Sequence, residues 1–359
     1  MKNWKIKVLF IVLLIIAVAL VGCNTNKDLE PTTPPPSDES GSGPATPGDD
    51  TTTPGDDTTT PGDDDTGNDK PGEDEPGNDL DIDLEQLQEQ YGEFSITATK
   101  GEEGVWSEDN KTYTISVSSA KSAYTITGYF EGQIIIDNPS DLSSFKGVEL
   151  TLNNACLVTY TGSNIDYRAS DKNVEIVAKK NTENYIINLG EGYYDCAVSS
   201  EKNIEVDGKG TLNIITKTGH GLRAESKIRV YDAPTINITS GHDAIHASKF
   251  VSNNEETVEA DFEAFTGTIN VIFAVSQAFD CTTGAGKGSI DLSSGTYIIS
   301  NCESAFKTDT SLVIGGNVAA TNLTADPVVK GAESSGVTIE ILDGGVFTVD
   351  GNAYTKALV

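Results

Sequence analysis

Apolar residues recur along most of this chain with a period of two, in short runs separated by Gly- or Asp-bearing corners. Ile204/Val206, Ile228/Val230, Ile290/Leu292, Leu312/Ile314 and Val337/Ile339 form one set of such runs. Leu212/Ile214, Ile236/Ile238, Ile269/Val271, Tyr297/Ile299 and Phe347/Val349 form a second. Alternation over four to six residues predicts short strands with one face buried. Before these runs a small–apolar step, usually followed by a polar residue, appears six times: Ala197-Val198-Ser199, Gly221-Leu222-Arg223, Ala244-Ile245-His246, Ala278-Phe279-Asp280, Ala305-Phe306-Lys307 and Pro327-Val328-Val329. Its apolar members are 24, 23, 34, 27 and 22 residues apart. A repeat of this length marks a stacked architecture. Three short strands per repeat predict an all-β solenoid, a parallel β-helix, rather than a sandwich, whose hairpins would recur every ~8–12 residues. One coil cannot close a core alone. Stacking coils about 4.8 Å apart would pile Val198, Leu222, Ile245, Phe279, Phe306 and Val328 into an internal ladder.

The amino-terminal quarter reads differently. Lys2, Lys5 and Lys7 precede an apolar run from Val8 to Leu20, which is the length of a signal-peptide core and short for a membrane span. It ends in Leu20-Val21-Gly22-Cys23, the pattern of a lipobox, so residues 1–22 are expected to be a removed leader and Cys23 the lipidated residue. Two acyl chains on one cysteine suffice for stable anchoring. Residues 23–80 show no apolar periodicity and contain Pro-Gly-Asp-Asp-Thr-Thr-Thr at Pro47 and again at Pro54. Such a stretch buries too little apolar surface to offset its ordering entropy, and it is expected to act as a disordered spacer. Fully extended, its 57 residues from Asn24 to Leu80 would reach roughly 180 Å. Leu84, Leu87 and Tyr91 fall at helical spacing and predict a short helix leading into a body at 81–359.

Charge narrows the partners. Acids outnumber bases 55 to 24, for a net charge of −31. Nucleic acid and passive docking on anionic lipid are therefore excluded, leaving the lipid anchor as the membrane contact. Five cysteines in 359 residues make no disulfide scaffold, and the four in the body lack any CxxC spacing, so buried thiols are expected.

Several segments carry a family resemblance: Tyr124-Thr-Ile-Thr-Gly-Tyr-Phe-Glu-Gly-Gln-Ile-Ile-Ile136, Leu150-Thr-Leu-Asn-Asn154, Asp171-Lys-Asn-Val-Glu-Ile176, Gly208-Lys-Gly-Thr-Leu-Asn-Ile214 and Gly219-His-Gly-Leu222. In order and spacing, over about residues 95–350, they resemble the carbohydrate-binding β-helix lipoproteins of clostridia and relatives, whose ligands include cellulose and acidic sugars. The resemblance implies a right-handed parallel β-helix, calcium held at its turns, and binding of pectin-like polysaccharide without turnover. The family's acidic pair before the small–apolar step is reduced here to one carboxylate in four coils, namely Asp195, Asp243, Glu303 and Asp326. These are the expected calcium ligands, supplied as oxygen donors along one edge. The alternative is that they accept backbone N–H bonds in Asx-type turns.

Outside the ladder, Arg223, His246, Asp280 and Lys307 occupy equivalent positions in successive coils. A column of mixed sign suits a structural surface, and it also suits recognition of a carboxylated sugar by Arg and Lys. Trp106, with Tyr193 and Tyr194, is a candidate stacking platform for sugar rings, or else packing near the amino-terminal end. The spacing of 34 marks an inserted loop within residues 252–266, where Glu255, Glu256, Glu259, Asp261 and Glu263 cluster. β-Helices also carry pectin-degrading enzymes. This chain has Gly219-His220-Gly221, but the body lacks Asn-Thr-Asp, Arg-Ile-Lys and any adjacent Asp pair, which argues against a polygalacturonase. A lyase would have to use Arg223 or Lys307 as its base. The expected function is thus a cell-surface lipoprotein that binds acidic polysaccharide without turnover, with a pectate-lyase-like enzyme and a structural adhesin as alternatives.

Overall fold

In the computed structural model, residues 82–354 are described, apart from 118–120, 138–146, 169–171, 193, 253–264 and 333. Cys23, the spacer and the acidic inserted loop therefore lie outside the described residues. The body is all-β: one sheet of mostly parallel strands, not closed. Its pairings fall into three columns, each strand bonding to its equivalent one repeat earlier and one repeat later.

The first column runs Tyr113, Ile134, Ile165, Val198, Leu222, Ile245, Phe279, Phe306, Val328. It contains all six apolar members of the repeat, in the expected register and with essentially no exposure. The second runs Val148, Val174, Ile204, Ile228, Phe250, Ile290, Leu312, Ile339. The third runs Leu157, Ile186, Ile214, Ile238, Val271, Ile299, Ala320, Val349. One expected register is corrected. Leu312/Ile314 pair with Ile339/Ile341, because the strand begins at Thr338, one residue after Val337, which is nonetheless buried in the core. Phe250 and Val318 fill steps that the alternation alone did not single out.

Each buried apolar side chain contributes on the order of 1.5–3 kcal/mol, and stacking lets neighbouring repeats share that burial. Buried asparagines satisfy the backbone where the chain turns. Asn164 Nδ2 donates to the carbonyls of Leu157 and Ile187, and Asn188 Nδ2 to those of Gly162 and Cys196. Without such partners the buried carbonyls at the corners would be orphaned. The three antiparallel pairings among the described residues lie at the ends of the stack. Ser95–Lys100 pairs with Ser122–Glu131, Val105–Ser107 with Thr112–Ser116, and Val346–Val349 with Asn352–Ala353. They cover edges that would otherwise offer unpaired N–H and C=O groups.

The expected helix is present as α1, Leu84–Tyr91. Asp83 caps it by accepting from Gln86 N at 2.9 Å, and Gly92 ends it at φ +70°. Leu84, Leu87 and Tyr91 pack over Cys156, Val158, Ile187 and Tyr185, covering part of the third column. No helix among the described residues is long and apolar enough to cross a membrane.

Candidate binding face and histidine cluster

The residue after each first-column apolar position points away from the core, because strand side chains alternate. That places Arg223 beside His246, His246 beside Asp280, and Asp280 beside Lys307, in the expected register. Their chemistry is not uniform. Asp280 is nearly buried and accepts from Lys307 Nζ at 2.8 Å and from Thr282 Oγ1 at 2.7 Å, so it positions Lys307 rather than facing solvent. Burial alone would push the Lys307 ammonium down, but the charge and hydrogen bond of Asp280, with the charges of Asp243 and Glu303, together outweigh it and hold the pKa above the ordinary value. Lys307 therefore stays cationic and a third exposed. Arg223 donates from Nη2 to Glu225 and lies over the Tyr194 ring at 5.3 Å from its centroid. Tyr194 is 66 % exposed, so the pair presents an aromatic face and a guanidinium side by side.

Next to this ladder, three imidazoles surround one buried carboxylate oxygen. Asp243 Oδ2 lies 3.3 Å from His220 Nδ1, 3.2 Å from His242 Nδ1 and 3.1 Å from His246 Nδ1. The other oxygen, Oδ1, accepts from Gln277 N at 3.0 Å. The backbone dictates this convergence. His220 and Asp243 stand two residues before Leu222 and Ile245, and those two are paired partners. Gly221 N donates to Asp243 O at 3.1 Å, tying the two turns together. Hydroxyls fix each turn: Thr216 Oγ1 donates to Gly219 O, Ser240 Oγ donates to Asp243 O, and His242 N donates to Ser240 Oγ. Gly221 is required by close approach, since a Cβ there would sit 2.5 Å from Ala244 O.

Burial pushes the His220 imidazole down to about 4, more than its Asp243 contact restores, so its ring is neutral at pH 7. For Asp243, burial pushes upward, but hydrogen bonds from His220, His242 and His246 together hold it well below the ordinary carboxylate range. His220 and Asp243 are almost fully buried, while His246 and His242 keep about 30 % of their side-chain surface open. The cluster is thus a buried anion with a partly open rim.

The expected calcium ligands do not converge. Asp195 spends Oδ1 on Gly162 N and Oδ2 on Gly192 N, both at 3.0 Å, which is the turn role. Glu303 is exposed and accepts from Gln277 Nε2 at 3.2 Å, and Asp326 is exposed on a later repeat. Asp195 and Asp243 are two repeats apart, about 10 Å at the strand spacing. Calcium needs six to eight oxygens around one point. Among the described residues these four carboxylates do not meet around one point, and three nitrogens crowd the one that is buried.

Trp106 does not join the face either. It pairs across from Tyr113 and packs on Phe130 at 5.4 Å, five pairings from Leu222 along the first column. That is roughly 24 Å at the strand spacing, so its role is to close the amino-terminal end. A shallow depression near that end is lined by Lys111, Glu131, Gln133 and the exposed Tyr160, with Lys111 and Glu131 already paired at 2.7 Å. The four body cysteines are buried and free, and burial pushes the thiols of Cys156, Cys196 and Cys302 up to about 12.

His220 and His242 escaped selection in the sequence. The usable signal was positional: Gly219-His220-Gly221 and His242-Asp243-Ala244 occupy the same place before the small–apolar step, one repeat apart.

No curated protein matches the sequence significantly. Among solved structures, the fold is similar to a polysaccharide lyase-like protein from C. thermocellum, studied as a gadolinium derivative, with a TM-score of 0.52 and 16 % identity over 69 % of this chain and 94 % of that one. At this identity the likeness concerns the fold. A family model for carbohydrate-binding domain-containing proteins matches residues 109–355, from the amino-terminal hairpin through the last described strand. The chain belongs to the carbohydrate-binding domain-containing protein family.

Proposed function

We infer that this protein is a surface-tethered lipoprotein that retains acidic, pectin-like polysaccharide without cleaving it. Family membership supports a carbohydrate ligand. The observation that carries the acidic preference is the Tyr194–Arg223 pair, with Lys307 on the same ladder. A guanidinium beside an exposed ring offers stacking for a pyranose and a bidentate partner for its carboxylate. Neutral cellulose would find a single exposed ring there. The leader, Cys23 and the acidic spacer support export and anchoring through lipid.

The three pairing columns support a parallel β-helix with three short strands per coil, and the family resemblance a right-handed one. A solenoid of this kind presents a long straight face, as a polymer ligand requires. Its rigidity suits retention: a preorganised face spends little binding energy on ordering.

The absence of turnover is favoured by the state of the basic groups. Arg223 is paired with Glu225, and Lys307 is held cationic by Asp280, so neither is poised to take a proton. Calorimetric titration of the full chain with a galacturonan oligomer tests the reading, alongside a cello-oligomer of equal length. Heat with the acidic oligomer and little with the neutral one is expected. No heat with either would overturn it, and accumulation of unsaturated ends would move the protein to the lyase class.

A further inference from the structure

Among the described residues, one group of histidine, cysteine or acidic side chains brings three potential ligand atoms together: His220, Asp243 and His246, with these atoms all within 4.8 Å of one another. We propose that this cluster is a binding site for a divalent transition ion of the zinc class, with His220, Asp243 and His246 as ligands and one position left open.

The distances fit a coordination shell as well as they fit hydrogen bonds. A charge-assisted N–H···O bond to a carboxylate is about 2.7–2.9 Å. The contacts from His220 and His246 to Asp243 Oδ2 are 3.3 and 3.1 Å. Donor atoms held about 2.0–2.2 Å from a tetrahedral ion are separated by roughly 3.3–3.5 Å. The two edges that meet at Asp243 are thus close to those of such a tetrahedron, the third lies within 4.8 Å, and a small movement of the rings admits the ion.

The donor set selects the ion. Two imidazoles and one carboxylate suit zinc and its first-row neighbours, whereas calcium and magnesium require oxygen. Three protein ligands leave the fourth position to water or a small ligand. The half-buried His246 forms the open side, and the ladder of Arg223 and Lys307 continues from it.

An outer shell is already in place. Gln277 N orients the carboxylate through Oδ1, and the His242 ring packs edge-on to His220 at 4.7 Å. Such partners fix ligand orientation and raise affinity. Because the ligands come from two consecutive repeats, an ion here would clamp the Leu222 and Ile245 strands together. Binding to the folded state alone would then raise the melting temperature. The proposal does not depend on what polysaccharide the face retains.

The test is titration of the untagged full chain with Zn2+ in the presence of excess Ca2+ and Mg2+, followed by calorimetry and by thermal unfolding. One ion per chain and a raised Tm are expected, and Co2+ in place of Zn2+ should give the intense visible bands of a four-coordinate site. His246→Ala removes a ligand from the open rim. It should weaken binding by more than about tenfold, the lower end of what even outer-shell partners cost. His242→Ala should retain the ion. Absence of a stoichiometric site in the wild-type chain would overturn the proposal. So would full affinity in His246→Ala, or displacement by Ca2+, since either would place the metal on the acidic spacer or the thiols. The wild-type Co2+ spectrum decides the matter even if the variant is poorly folded.

Discussion

Two outward ladders on this molecule are built from the same backbone and behave oppositely. On the second column Glu149, Glu175 and Glu205 stack in direct register, three like charges at successive steps. Each is answered from the side. Lys121 Nζ reaches Glu149 at 3.1 Å and Glu175 at 2.7 Å, Tyr231 OH donates to Glu175 at 2.6 Å, and Arg229 Nη1 lies 3.5 Å from Glu205. The face is acidic in sequence yet neutralised in place. On the first column Arg223, His246, Asp280 and Lys307 mix signs, and the buried carboxylate beside it, Asp243, is met by three imidazole rings. Ion pairs stand on both faces, Arg223 with Glu225 and Lys307 with Asp280 on the first, but the first adds imidazoles around a carboxylate and a guanidinium over an open ring, which leave chemistry for a ligand. Charge density alone therefore does not locate a site. How the charge is answered does.

That contrast yields a ranked set of outcomes. The largest concerns Asp243. Asp243→Ala removes a buried carboxylate and leaves Gln277 N and the buried His220 ring without their acceptor, and we expect a loss of about 2–3 kcal/mol in urea unfolding. Next, Arg223→Ala should weaken binding of a galacturonan oligomer about tenfold, or ~1.4 kcal/mol, by calorimetry. It should leave Tm nearly unchanged, because Glu225 is half exposed and such a pair contributes little to stability.

A smaller effect is electrostatic and lies on the acidic side. Burial pushes the Asp207 carboxyl up to about 6, with Glu175, Asp232 and Glu149 adding to the rise against a hydrogen bond from Gly208 N. A carboxyl whose folded pKa exceeds its unfolded value of about 3.9 makes the native state hold more protons between the two. Stability should therefore fall as pH rises from about 4 through 6, and the deficit persists above that. Asp207→Asn should flatten this slope and raise the unfolding free energy in urea at pH 7 by an amount on the order of 1 kcal/mol, small because solvent reaches the group. The smallest effect belongs to Glu175→Gln. It relieves repulsion from Glu149 and Glu205 while loosening Lys121, and its unfolding free energy should stay within about 1 kcal/mol of the wild type. A loss as large as that of Asp243→Ala would erase the distinction between the two faces.

Much of the fold was legible because the repeat leaves a mark at every turn. The small–apolar–polar step gave the register of Val198 through Val328, and period-two alternation gave most of the third column. It failed where the pattern is shared with a turn, as at Val337, and where an aromatic such as Phe250 replaces the expected aliphatic pair. The site was legible as a column but not as contacts. Sequence placed Arg223, His246, Asp280 and Lys307 on one line, yet could not say that Asp280 is covered by Lys307. It ranked Asp195, Asp243, Glu303 and Asp326 as equals, although carboxylates at equivalent positions meet different neighbours: backbone N–H groups for Asp195, three imidazoles for Asp243. The three histidines fall in two adjacent repeats by sequence, but their convergence on Asp243 is visible only once the two turns are paired. Of the two readings open for Trp106, its contact with Phe130 agrees with packing near the amino-terminal end, and distance along a solenoid grows with every intervening strand.

The account rests on the first-column face being the one that holds acidic polysaccharide. Amide hydrogen exchange of the full chain, with and without a galacturonan oligomer, reads this directly. Slower exchange is expected around Tyr194, over Leu222–Ala224 and Ile245–Ala247, and near Lys307, with Glu149, Glu175 and Glu205 unaffected. Protection confined to the second column or to the depression at Tyr160, or no protection anywhere, would contradict it.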